Sequence, residues 1–475
     1  MKTRTLISAA GIALIAGLVA TLPMLGSTRA SAAPEPQNDY AQKVSEYQNG
    51  QAAFGLSGQI DRSDLSMLQR DLRMIKQGRE TFRYDTFGDQ AFWGGQLGLN
   101  QTIAGVANGG IGPGLSPATA LQLGLKVDVN ALPASVKAAL KAGKVDLNDP
   151  AVTLLLLKLN SVVGVKGFFD NAGKLSSVGI TCALCHTAVD DSFAPGIGKR
   201  LDGWPNQDLN VGEIIAFAPN LQPIADELGA DQTTVRKVLT SWGPGMFNAE
   251  LNLDGKAFKP DGAPYVTRIP AAYGHLGETE HTWTASFGDV TYWNAYVAVL
   301  EMHGQGNFND SRFEDPIQFP VAARTGQAHV RVPAGKPDLV TPKLAALQYY
   351  QLSLPAPTPP PRSYNRAAAS SGEAIFNGQG GCAACHMPTQ FTDAGHNVHT
   401  GQEMCIDNLQ GSRGPSGGGY VTPQLKGLWA RSKRGFYHDG RFPTLLAVVD
   451  HYNQCDKLQL TSAQENDLVQ YLKSL

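Results

Sequence analysis

The chain has 475 residues, 42% hydrophobic and 17% charged, with a formal net charge of −2. That much apolar material argues against a single domain, and the near-neutral charge gives no reason to expect nucleic acid or an anionic membrane surface as a partner. Glycine (52) and proline (29) are plentiful and alternating β-branched runs are scarce, so the expected fold is mainly α with long irregular loops.

At the N-terminus, Lys2 and Arg4 precede an apolar run from Leu6 to Leu25, and Ala30-Ser31-Ala32 offers small residues for cleavage before Ala33. This is the layout of an export signal peptide over residues 1–32; the rival is an uncleaved membrane anchor. No cysteine follows the run to take a lipid. Residues 33–60, polar and rich in Gly and Gln, read as a flexible leader. From Asp61 the pattern turns helical, with Leu65, Leu68, Leu72 and Ile75 at three- and four-residue spacing. Further helices are expected between Pro117 and Leu159. Val152 to Val165 is apolar but broken by Lys158 and Asn160, so it reads as buried helix and not as a membrane span. Another helix starts near Val290, carries Tyr292-Trp293 and runs towards Leu300-Glu301-Met302-His303. The prolines from Leu354 to Pro361 predict an extended linker at 353–362. Beyond it, Ala367 to Phe376 reads as an amphipathic helix, and Leu460 to Leu475 as a final helix with a threonine cap. The chain thus divides into a region at 61–352, enlarged by helical insertions, and a smaller one at 363–475. The mature protein is expected in the periplasm or secreted, with no membrane span.

Four of the six cysteines stand in two motifs, Cys182-Ala183-Leu184-Cys185-His186 and Cys382-Ala383-Ala384-Cys385-His386. Haem c is held by two thioether bonds and an iron-ligating imidazole, and C-x-x-C-H supplies all three groups from one helical turn. A zinc knuckle or a dithiol redox pair is the bland alternative. Against it, histidine follows both times and no further CxxC completes a four-cysteine zinc site. Two covalently bound haems c are expected, attached at Cys182, Cys185, Cys382 and Cys385, with His186 and His386 as proximal iron ligands. Each region then forms a cytochrome c-type haem domain. The leftover Cys405 and Cys455 are expected to pair in an oxidising compartment, free thiols being the alternative.

The sixth iron position separates an electron carrier from a site that binds peroxide or dioxygen. The remaining histidines are His275, His281, His303, His329, His396, His399, His438 and His451; for each, a surface or packing role is the default. Aligning Pro270 with Pro423 and Phe287 with Phe442 suggests two divergent copies of one plan, in which Tyr452 corresponds to Val297. Valine cannot ligate iron, so the first haem is the candidate for an open position. Its distal candidates are His281, Glu301, Met302 and His303, with Glu301 suited to acid or base work. Arg441 and Arg200 are candidates to pair with haem propionates.

The stretch Ser371-Gly372-Glu373-Ala374-Ile375-Phe376 before the second motif, then Thr422-Pro423, Phe436-Tyr437-His438-Asp439-Gly440 and Tyr471-Leu472, resembles the bacterial di-haem cytochrome c peroxidase and MauG superfamily. In its peroxidases a methionine usually stands where this chain has Tyr452, whereas in MauG-type members a tyrosine there ligates iron. The resemblance makes Tyr452 the leading axial candidate for the second haem and His451 the runner-up. The wide motif spacing and the long extension before Cys182 are similar to rubber-oxygenase-type relatives, whose N-terminal haem activates dioxygen. The resemblance therefore implies an exported di-haem oxidoreductase. Its second haem would store or relay an electron and its first would meet peroxide or dioxygen, served by a redox partner protein or a small-molecule donor. The rival is a purely electron-transferring cytochrome with both irons six-coordinate.

Overall fold

Residues 62–415 and 417–475 are described by the computed structural model. The signal and leader expected at 1–60 lie outside them. Gln69–Leu475 forms one compact unit that contains both motifs, and the description below concerns that unit. It is mostly helical, with five two-stranded sheets among the described residues.

Helix α1 (Arg62–Tyr84) continues the periodic leucines. Its Phe82, fully buried, meets the Tyr350 ring at 5.6 Å on helix α2 (Thr341–Leu352). Between them in sequence lie short helices at Pro117–Gln122, Ala134–Lys141 and Pro150–Lys158. Ser116 and Asp149 cap the first and last of these through their side chains, each followed by a proline at the first turn. The apolar run from Val152 therefore stops as helix at Lys158 and crosses into an antiparallel hairpin, β1 (Val165–Phe169) with β2 (Leu175–Ile180). The hairpin turns at Asp170, whose carboxylate accepts the backbone N–H groups of Ala172 and Lys174 at 2.9 Å. This hairpin, absent from the sequence reading, delivers the chain directly to Cys182.

Two apolar cores fill the region around the first motif. One gathers Leu97, Leu157, Leu209, Leu221 and Trp242, and includes Leu184; the other gathers Phe82, Phe287, Tyr296, Phe313 and Phe319, and includes Ala183. The first CxxCH turn thus sits on the seam between them. Asp89 is buried at that seam and accepts the Ile180 N–H at 3.2 Å. Burial pushes its carboxyl up to about 9 from 3.8. A proton that the unfolded chain would release is retained by the folded one, so stability is greatest below 3.8 and is lost as pH rises towards 9. Asp89→Asn should flatten that decline by at least ~1 kcal/mol. Urea unfolding at pH 5 and pH 8.5 measures it, and an unchanged slope would remove Asp89 as the cause.

A third core belongs to the C-terminal region: Phe376, Leu425, Leu468, Tyr471 and Leu472. Helix α3 (Arg366–Asn377) starts at the Asn365 cap, and the final helix α5 (Ser462–Ser474) starts with a reciprocal Thr461–Gln464 capping box. The two cross at Gly372, where a Cβ would lie 2.1 Å from the Asp467 carbonyl oxygen; only glycine allows that approach. Helix α4 (Leu445–Cys455) packs beside them, and its last residue forms the Cys405–Cys455 disulfide. Residues 353–362 contain no helix or strand.

Candidate haem sites

The first site grows from β2. After Thr181 a single helical turn, Ala183–His186, begins at Cys182 and is closed by the His186 N–H donating to the Cys182 carbonyl at 3.2 Å. Gly164, with φ +78, presses against this turn; a Cβ there would lie 2.1 Å from Leu184 Cα. His186 Nδ1 lies 3.1 Å from the Pro270 carbonyl, which as acceptor leaves Nε2 as the ligating atom. Burial lowers this imidazole to about 4, so it is neutral with its lone pair available.

Cys182, Cys185 and His186 all line one cavity. Two thiols and a neutral imidazole on one cavity wall are what haem c requires, and the residues fit that group. Two other walls are unusual. Ala91–Gln96 is a π-helical turn that contributes Trp93, and α6 (Val290–Tyr296) continues into a second π-helical turn, Val297–Glu301. Such turns carry an extra residue per turn and recur at functional sites. The second one places Val297, Glu301 and the adjacent Met302 on the cavity wall. Trp93 Nε1 donates to the Met302 carbonyl at 3.0 Å and ties the two turns together. Glu301 is half-buried, and its Oε1 is buried without a hydrogen-bond partner. Burial, reinforced by the Glu250 carboxyl on the same cavity, holds its pKa well above the usual carboxylate range.

The second site follows the same plan in part. His386 N–H donates to the Cys382 carbonyl at 2.9 Å, and His386 Nδ1 lies 2.9 Å from the Phe391 carbonyl. Burial lowers this imidazole to about 4. Cys382 and His386 line a cavity together with Tyr437, His438, Tyr452 and Met404, whereas Cys385 is not on its wall. Tyr452 Oη points at Met404 Sδ, 4.0 Å away, and burial raises its phenol above the ordinary range. His451 is not part of this wall; its Nε2 lies 2.8 Å from the Met404 carbonyl. Tyr452 and Val297, paired by the sequence comparison, each line their own cavity.

Of the other sequence candidates, Glu301 and Met302 are on the first cavity. His303 stacks on Phe92 at 3.6 Å and is not. His281 lines a third cavity, which also touches His186. Arg441 is taken up by Asp439 and Asp407, and Arg200 by Asp128 at 2.7 Å; neither lines any of the three cavities. Arg268, on the first cavity, and Arg431, on the third, do, and each has a buried Nε without a partner, as a propionate site requires. Trp283 was also missed: it lines all three cavities, with Nε1 donating to the Arg268 carbonyl at 3.0 Å. Its neighbour Thr282 has φ +73, an outlier for a β-branched residue. Convergence of distant segments, invisible in local patterns, brings these residues together.

Two cavities, each founded on a CxxCH turn with a buried neutral imidazole, have the construction of c-type haem sites. No family model matches the chain. The chain is 31% identical over 126 residues to methylamine utilization protein MauG of Methylorubrum extorquens, covering 23% of this chain and 35% of that protein. It therefore spans about a third of the curated relative's length. At that identity and coverage the chain is similar to MauG, a resemblance that the motif block from Ser371 to Leu472 also carries. Two solved structures are also similar, each at 17% identity. Hydrazine synthase of Kuenenia stuttgartiensis, under xenon pressure, has a TM-score of 0.26 over 46% of this chain and 76% of that one. A MauG-like protein associated with microbial copper homeostasis has 0.29 over 47% and 77%. Likeness at that level does not define a shared fold.

Proposed function

We propose that the chain is an exported di-haem c-type oxidoreductase whose first haem site, at His186, reacts with peroxide or dioxygen, and whose second, at His386 and Tyr452, stores or relays an electron. The carrying observation is the Glu301 carboxyl on the first cavity, whose Oε1 is buried without a hydrogen-bond partner, together with Val297 where the second cavity has Tyr452. A bound haem supplies one-electron chemistry and, where its sixth position is open, a place for an oxygen ligand. The chain's own residues do the rest. His186 and His386 present Nε2 lone pairs held in place by the carbonyls of Pro270 and Phe391. Glu301 keeps a proton at its carboxyl and offers it to peroxide or dioxygen entering the cavity. Trp93, Phe287 and Trp293 keep that cavity apolar and exclude water. Trp283 spans the two haem cavities as a route for the electron. No helix among the described residues is long and apolar enough to cross a membrane.

Met302 on the first cavity favours a second reading, a pure electron carrier in which its thioether fills the sixth position. The spectrum of the oxidised, haem-loaded protein separates the two. A high-spin haem that responds to hydrogen peroxide is expected, beside a low-spin haem that Tyr452→Phe alters. Two low-spin haems indifferent to peroxide would leave the electron carrier standing.

A further inference from the structure

The third cavity contains a group of side chains that haem attachment does not use. His275, Glu278 and His281 line it, and one ligand atom from each lies within 4.8 Å of the others. The segment is a turn: the Glu278 N–H donates to the His275 carbonyl at 3.0 Å, and the His275 and His281 rings stand edge to face at 4.8 Å. His275 Nε2 lies 2.9 Å from the Ala271 carbonyl, and its Nδ1 is 2.6 Å from Glu278 Oε2. His281 is the informative member. Its side chain is 6% exposed, yet neither ring nitrogen has a hydrogen-bond partner, and Glu278 Oε1 is likewise buried and unpartnered. A buried imidazole lacking both partners costs on the order of 1–3 kcal/mol per group unless something fills the place.

We propose that His275 Nδ1, Glu278 and His281 form a binding site for one divalent first-row transition-metal ion, in the cavity that also touches His186. Two imidazoles and a carboxylate suit zinc and its neighbours, whereas calcium and magnesium favour all-oxygen sets. The Ala271 carbonyl, accepting from His275 Nε2, fixes the tautomer that turns Nδ1 to the ion, as outer carbonyls do at zinc sites. Glu278 Oε2 to His281 Nε2 is now 4.0 Å. Ligand atoms around a tetrahedral ion with bonds of about 2.1 Å stand roughly 3.4 Å apart, so binding asks the His281–Glu278 pair to close and the His275–Glu278 pair, now at 2.6 Å, to open, both within the range of side-chain rotation. Burial lowers His281 to about 4, which leaves its lone pair available near neutral pH. The ion replaces the proton shared by His275 and Glu278, which passes to solvent. Glu280 on the same cavity adds negative charge, and Arg431 opposes it.

The test is calorimetric titration of chelator-treated, haem-loaded full chain with zinc, together with metal analysis after gel filtration. One zinc per chain is expected, with affinity reduced at least ~100-fold by His281→Ala and by Glu278→Gln. His329→Ala, an exposed histidine paired with Glu314, should bind as the parent does. Absence of saturable zinc uptake, or equal uptake by parent, His281→Ala and Glu278→Gln, overturns the site. If His281 instead serves a haem propionate, the haem-loaded protein takes no zinc while His281→Ala alters the haem spectrum, which also overturns it. Should His281→Ala fail to fold by circular dichroism, Glu278→Gln alone decides, since its shape is conserved.

Discussion

Glu301→Gln should slow the reaction of the haem-loaded protein with hydrogen peroxide by about 10²- to 10⁴-fold, roughly 3–5 kcal/mol on the barrier. The amide keeps the shape and packing of the side chain on its π-helical turn, so haem content and the resting spectrum should not change. It cannot give up a proton. Because burial and the Glu250 carboxyl raise the Glu301 pKa well above its usual range, the acid stays protonated in the parent through neutral pH. The parent's rate should therefore hold through neutral pH and fall only as pH rises towards that elevated value, and the variant should lack this fall. Stopped-flow mixing with peroxide reads both. A variant rate within a few-fold of the parent would take Glu301 out of the chemistry.

Arg413→Met should destabilise the protein by about 3–5 kcal/mol. Arg413 is almost wholly buried and grips Asp254 with two bonds of 2.8 Å, while its guanidinium lies 4.0 Å above the Tyr265 ring and 3.8 Å from Glu250. Methionine fills much of the same space but leaves the Asp254 carboxylate, 1% exposed, without its main counter-charge. Glu250, whose pKa burial already raises, would lose the one partner that lowers it most. Since Glu250 is on the first haem cavity, damage should extend to the oxidised spectrum there. Replacing Asp254 by Leu in the same chain should recover part of the loss, because a buried pair exchanged whole for apolar groups is nearly neutral. Urea midpoints give the cycle; a single-variant loss below ~1 kcal/mol would contradict it.

Some of this was legible in the sequence for a definite reason. The CxxCH motifs are local, and one helical turn determines their geometry. The pairing of Tyr452 with Val297 was legible because each stands 10 positions after its aligned phenylalanine, Phe442 and Phe287. Capped helices such as Ser462–Ser474 also declare themselves locally. The distal side of the first haem did not. Glu301 and His303 are two residues apart, and helical periodicity alone cannot say which faces the cavity. The π-helical turn shifts the register, puts Glu301 on the wall and leaves His303 stacked on Phe92. Arginine posed the same difficulty. Its charge is visible in the sequence, but whether a carboxylate reaches it first is not. Asp439, two residues away, takes Arg441, and Asp128, 72 residues away, takes Arg200. Arg268 and Arg431 are left for the cavities.

The division of the cysteines has a consequence for how the chain matures. Cys405 and Cys455 are joined by a disulfide, while Cys182, Cys185, Cys382 and Cys385 are the sulfurs that the two motifs would offer to haem. Assembly must therefore oxidise one pair and spare four sulfurs, or each CxxC would close on itself and have nothing left to offer a porphyrin vinyl group. Synthesis presents the sulfurs in the awkward order, since all four that must stay reduced emerge before the two that must be joined. A chain laid out this way depends on a reductant that guards its motif thiols and on an oxidant that reaches only the end of the sequence. Its yield is then set by competition between those two agents as much as by its own folding.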